Sequence, residues 1–95
     1  MASILIIDNE FPIRKGIYDY LEQDGYKVQT TKSGGEGIQL AISAEFDFIL
    51  IEQDLKDHDG LRVLQEIKRA KPEIVCFIIA KEPSYENAVK SANLG

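Results

Sequence analysis

Tryptophan is absent from the 95 residues, and cysteine, methionine and histidine occur once each. A lone cysteine cannot close an intramolecular disulfide. Cys76 stands inside the apolar run Ile74-Val75-Cys76-Phe77-Ile78-Ile79, which predicts a buried, inert thiol rather than a reactive one. His58 stands in a polar loop without a second histidine or a cysteine beside it. That excludes a zinc site of the usual kind and predicts a solvated side chain. No serine or cysteine nucleophile adjoins it, so nothing supports an enzyme. Basic residues are in the minority, 11 against 16 acidic, for a net charge of −5. Phosphate contacts need a basic surface, so direct nucleic-acid binding by this segment is excluded. The four tyrosines are dispersed and make no stacking platform for bases. No apolar run approaches the ~18 residues of a membrane span, and Met1-Ala2-Ser3 lacks the basic start of a signal peptide. A cytoplasmic location without a membrane partner is expected.

What is present is a hydrophobic fraction of 44%, ordinary for a globular chain. At this length residues 1–95 form one domain with a thin stability margin. The central stretch is Phe46-Asp47-Phe48-Ile49-Leu50-Ile51-Glu52-Gln53-Asp54-Leu55. A short apolar run that ends in carboxylates predicts a buried strand delivering acids to the rim of a sheet. Ser3 to Ile7 is a second such run, ended by Asp8-Asn9-Glu10. Pro12 is tolerated in the first turn of a helix over 12–23. Ile13, Ile17, Tyr20 and Leu21 form its inward spacing, and Asp24-Gly25 its stop. Tyr26 to Thr31 alternates like an edge strand.

Ser33 then caps a helix as the first half of a capping box with Glu36. The glycines beside it could suggest a phosphate loop, but no Lys-Ser/Thr follows, so that pattern fails. Gly60 opens a third helix with Leu61, Val63, Leu64 and Ile67 inward. Lys68, Arg69 and Lys71 suit the dipole at its end, and Pro72 stops it. Ile74 to Ile79 is a fourth strand, and Tyr85 to Leu94 a fourth helix capped by Ser84. Strands alternating with helices in this way imply an α/β fold with a parallel sheet.

If the first and third strands are neighbours, Asp8 and Glu52 converge at one rim. Converging carboxylates are a Mg²⁺ site or a pair with perturbed pKa values. The plainer reading is two solvated loop acids, and the residues alone leave both open.

In this order and spacing the chain resembles the receiver domains of two-component response regulators. The resemblance is carried by Ile4 to Glu10, Tyr26 to Gly37, the segment Phe46 to Leu61 with its Asp59-Gly60-Leu61, and Ala88 to Gly95. It implies a flavodoxin-like (CheY-like) sheet of order 2-1-3-4, with the family's fifth strand and helix missing from this chain. It implies cytoplasmic phosphorelay signalling, with a sensor histidine kinase or other signalling protein as one partner and an output domain or effector as another. A flavin carrier of flavodoxin type shares the architecture. It fails on Asn9-Glu10-Phe11-Pro12, where its Ser/Thr-rich phosphate loop would be.

The departures from the family are concentrated at its site. The phosphoacceptor aspartate is Glu52, whose longer side chain moves the carboxylate by roughly 1.5 Å. The metal set becomes Asp8, Asn9, Glu52 and Asp54, with a neutral residue in place of the second acid, so Mg²⁺ binding is expected to be weak or lost. The switch hydroxyl is replaced by Ala80, the next residue is Lys81, and the loop proline is Lys56. Lys81 either reaches towards Glu52 or stays solvated. The family's site lysine lies beyond this chain.

These changes together imply a pseudo-receiver. It works by protein–protein contact, with Glu52 as a permanent negative charge in place of phosphoaspartate, whether that residue is natural or engineered. The alternative is a working phosphoacceptor, with Asp54 as a displaced acceptor. A sheet that ends at its fourth strand exposes an edge and an apolar face, which implies either the N-terminal piece of a longer protein or, for a complete chain, a homo-oligomer.

Overall fold

The computed structural model describes residues 2–80. The expected fourth helix and Lys81 lie outside them. Four strands and three helices alternate: β1 (Ser3–Ile7), α1 (Phe11–Gln23), β2 (Lys27–Thr31), α2 (Gly34–Ser43), β3 (Phe48–Glu52), α3 (Gly60–Ala70) and β4 (Val75–Ile79). The strands make one sheet of order β2-β1-β3-β4, and every pairing is parallel.

The strands form where β-branched and aromatic side chains run together, and the apolar runs of β1 and β3 take the centre of the sheet. Leu5, Ile6, Ile7, Ile49 and Ile51 have no exposed surface. Each such side chain contributes roughly 1.5–3 kcal/mol by leaving water. The alternation of side chains divides the sheet into two faces. Leu5, Ile7, Ile49, Ile51 and Cys76 join Ala41 of α2 and Val63, Leu64 and Ile67 of α3 in one core. Ile4, Ile6, Phe48, Leu50, Val75 and Phe77 hold the alternate positions. The thiol of Cys76 is buried as expected, and burial pushes it up to about 11.

α1 lies against β1 and β2 and buries no residue completely. The expected inward position of Tyr20 is corrected: its side chain is 69% exposed. The half-buried stripe is Ile13, Arg14, Ile17, Tyr18 and Leu21, and Tyr20 falls off its edge by the turn angle of the helix. Gly25 ends the helix with φ +91°, a conformation that glycine adopts without strain.

The start of α2 keeps half of the expected capping box. Ser33 Oγ accepts the Glu36 N–H at 3.2 Å. The Ser33 N–H donates to Thr31 Oγ1 at 3.2 Å rather than to Glu36. Asp59 caps α3 by accepting the Leu61 N–H at 2.9 Å. Lys71, expected to complement the α3 dipole, is its C-cap residue. Its Nζ donates to the Ala44 carbonyl at 2.7 Å, joining the ends of α3 and α2.

Candidate functional site

The register of β1 on β3 pairs Ile7 with Ile51. The next residues, Asp8 and Glu52, therefore leave the sheet side by side at its carboxyl rim. Neither is a solvated loop acid: Asp8 has no exposed surface and Glu52 is 2% exposed. Asp8 is held from several sides. Its N–H donates to the Thr31 carbonyl at 3.0 Å, its Oδ1 accepts the Glu10 N–H at 2.9 Å, and its carbonyl accepts Arg14 Nη1 at 2.8 Å.

Glu52 Oε2 accepts the Asn9 N–H at 3.2 Å. Burial, then a hydrogen bond with the Asp8 carboxyl, push the Glu52 carboxyl up to about 7; the Asn9 N–H opposes this, and the charges of Asp8 and Asp54 add to it. The permanent negative charge expected at Glu52 thus falls on a buried carboxyl whose pKa is raised.

Asn9 matters for what it donates as well as for the charge it lacks. With its amide turned to satisfy the neighbours, Nδ2 donates to Glu52 Oε2 at 2.5 Å and to the Asp54 carbonyl at 3.1 Å. The sequence alone shows only the missing charge at this position. The Asp54 side chain is exposed and does not join the buried pair. Its backbone bridges to Asp59 at the entry to α3. Ala80 is half-buried and directly follows Ile79, which pairs with Glu52. It therefore stands at the same rim, with a methyl group where a hydroxyl would be. Lys56 is exposed in the loop after β3.

That loop holds a group that the sequence reading passed over. Asp57 accepts the Gly34 N–H at 2.9 Å, the Gly35 N–H at 3.0 Å and the Ser33 hydroxyl at 3.0 Å. The N–H of Gly35, then that of Gly34, hold its carboxyl well below the usual carboxylate range. A helix start leaves its first N–H groups without intrahelical partners. The Ser33-Gly34-Gly35 start could have signalled that a remote acceptor was needed. The His58 side chain is 39% exposed, with Nδ1 2.9 Å from Asp57 Oδ2, and its Cβ is packed against Gly34.

Gly60 completes the rim. A Cβ there would overlap the Glu52 carbonyl oxygen and press on Gln53 Cα. Only glycine lets α3 start this close to the end of β3, where the Gly60 N–H donates to the Gln53 carbonyl at 2.8 Å.

A parallel sheet in the order β2-β1-β3-β4, with acids buried at the carboxyl ends of its two central strands, defines a flavodoxin-like domain of CheY type. The chain belongs to the response regulator receiver domain family, whose pattern it matches over residues 4–95. It is 30% identical over 95 residues to the response regulator SaeR of Staphylococcus aureus, covering all of this chain and 41% of SaeR. A receiver domain protein from Methanospirillum hungatei superposes with a TM-score of 0.94 at 28% identity, over 100% of this chain and 76% of that one. The response regulator TrrA of Thermotoga maritima, crystallised in complex with Mg²⁺-BeF, superposes with a TM-score of 0.90 at 25% identity, over 97% of this chain and 80% of that one. The chain thus spans about two fifths of the length of SaeR. It is the receiver domain of a two-component response regulator, a signalling domain. Among the described residues no helix is long and apolar enough to cross a membrane.

Receiver domains in general hold Mg²⁺ at the phosphorylation site. The donor set here does not fit that ion. Mg²⁺ wants hard oxygens in near-octahedral array, and its carboxylate ligands must be deprotonated. The rim instead offers an amide nitrogen aimed at Glu52 Oε2 and an Asp54 carbonyl already occupied by that amide. Among the described residues no three acids, histidines or cysteines converge as a metal set.

Proposed function

We propose that this chain is a pseudo-receiver, a domain that works without phosphorylation and acts through protein–protein contact. The observation that carries this reading is the state of Glu52. Its carboxyl is 2% exposed and its Oε2 accepts the backbone N–H of Asn9. A phosphoacceptor must present a free oxygen in line with the donor, beside a metal that neutralises the transferring group. Glu52 stands at the acceptor position, but its carboxyl is closed off from solvent and its Oε2 is taken up by Asn9. Ala80 supports the same reading, because a methyl group cannot bond to a phosphoryl oxygen. The domain then catalyses no turnover of its own, and Mg²⁺ binds weakly at most.

In this reading the partners are a sensor histidine kinase or another signalling protein, and an output domain or effector, all in the cytoplasm. The contact lies on the β4 side of the sheet, where Val75 and Phe77 are 40% and 51% exposed. A second copy of the chain is one partner such a surface would take.

One observation favours a second reading. The Asp54 side chain is exposed two residues beyond Glu52 and could serve as a displaced acceptor for a kinase's phosphoryl group. Beryllofluoride with Mg²⁺, a phosphoryl mimic, distinguishes the two when followed by amide NMR shifts. The pseudo-receiver reading expects no shift at Asn9, Glu52 or Asp54 in the wild type, and shifts in the Glu52→Asp, Asn9→Asp double variant. Saturable shifts in the wild type would establish the phosphoacceptor reading instead.

A further inference from the structure

We propose that the side-chain amide of Asn9 occupies the place of a metal ion at this rim, as a neutral clasp tying the end of β1 to the end of β3. Three oxygen-bearing groups meet there: the Asp8 carboxyl, the Glu52 carboxyl and the Asp54 carbonyl. A divalent cation would neutralise them by charge. Asn9 meets two of them, Glu52 and the Asp54 carbonyl, by donation. Its backbone N–H reaches Glu52 Oε2 at 3.2 Å. Its side-chain Nδ2 donates to the same oxygen at 2.5 Å and to the Asp54 carbonyl at 3.1 Å. A primary amide has two donor hydrogens, and both are used.

The difference from a metal lies in charge. A cation would require both carboxylates ionised. A neutral amide donates hydrogen bonds without adding charge, and its donors go to Glu52 Oε2 and to the Asp54 carbonyl. Unpaired ionised carboxylates at this degree of burial would be strongly unfavourable. The neutral residue at position 9 and the buried, bonded carboxyl at position 52 thus make one consistent arrangement rather than two separate losses. An aspartate at position 9 would remove both side-chain donors and set a third carboxyl against the pair. Only a cation could then hold the rim together.

This inference rests on the pseudo-receiver reading, since it takes the rim to work without Mg²⁺. Its test is separate. Thermal melts of the wild type, Asn9→Asp and Asn9→Leu are run in a chelator and in millimolar Mg²⁺. The wild-type midpoint is expected to be the same in both. Asn9→Asp is expected to melt about 4–8 °C lower in chelator and to recover in Mg²⁺. Asn9→Leu is expected to be lowered in both conditions. A wild-type midpoint that rises with Mg²⁺ as much as that of Asn9→Asp would overturn the clasp, because Asn9 would then be a metal ligand.

If Asn9→Asp does not fold in chelator, the wild-type Asn9 side-chain NH₂ resonances decide. The clasp expects them to be unmoved by Mg²⁺, and displacement on titration overturns it. The two proposals fail separately. Phosphoryl uptake in a wild type indifferent to Mg²⁺ sinks the pseudo-receiver reading and leaves the clasp standing. A wild type stabilised by Mg²⁺ without phosphoryl uptake does the reverse.

Discussion

The Asp57 carboxylate accepts the Gly34 N–H at 2.9 Å across 23 positions of sequence, so the loop that leaves Glu52 is fastened to the first turn of α2. Replacing Asp57 with alanine removes acceptors from two helix N–H groups and a hydroxyl. The expected loss is about 1 kcal/mol, the usual scale for a helix cap, read as a lower urea midpoint. Asp57→Asn, which keeps one acceptor oxygen, is expected to recover part of it. The folded state lowers the pKa of Asp57. Its contribution is therefore present above the ordinary aspartate range and lost only as pH falls through strongly acid values. Between pH 5 and pH 8, on this account, the urea midpoint difference between wild type and Asp57→Ala stays constant.

Gly60→Ala is expected to be among the most damaging single-methyl changes in the chain. The new Cβ meets backbone atoms of Glu52 and Gln53, which cannot turn aside as a flexible side chain can. Overpacking of this kind costs typically about 1–3 kcal/mol, and the upper end is expected here. Equilibrium urea unfolding measures it, with Gly16→Ala as the control, since nothing lies within 4 Å of a Cβ at Gly16.

Glu52 gives the domain an unusual pH dependence. Its carboxyl is raised from 4.5 to about 7 in the folded state, so folding takes up a proton between those values. The contribution is fully present below the unfolded value and is lost as pH rises through the folded one. Stability is therefore expected to fall from pH 5 towards pH 7.5, by as much as about 1.4 kcal/mol per pH unit. Chemical denaturation across that range checks it. Glu52→Gln, which cannot ionise, is expected to flatten the profile. A wild-type profile already flat would show that the carboxyl is not raised.

The two faces of the sheet are expected to respond differently to truncation. Ile51 has no exposed surface and packs in the α2–α3 core. Ile51→Ala is expected to cost about 2–5 kcal/mol. Phe77 is 51% exposed, with its ring 6.3 Å from that of Phe48. Phe77→Ala is expected to cost about 1 kcal/mol, the scale of one aromatic pair. Paired denaturation curves compare them.

The fold was legible because its evidence is periodic. The apolar runs at 4–7 and 48–51, each closed by acids, specify buried parallel strands with a carboxyl rim. Gly25, Ser33 and Asp59-Gly60 mark the helix boundaries close to where they fall. The acids of the rim were legible too, since strand order alone brings Asp8 beside Glu52. What the residues did not disclose was how deeply that pair is buried. Burial at a strand end depends on what covers it, and here the cover includes Asn9 folding back over Glu52. The Asp57 contact was hidden for a similar reason. A carboxylate in a polar loop looks solvated until the fold brings a helix start within reach.

Intact-protein mass after incubation with acetyl phosphate and Mg²⁺ tests the central proposal most directly. The wild type is expected to gain nothing, while the Glu52→Asp, Asn9→Asp variant gains one phosphoryl group. A wild type that gains a phosphoryl group on Asp54 or Asp8 would contradict it, and would place this receiver among those that signal by phosphorylation.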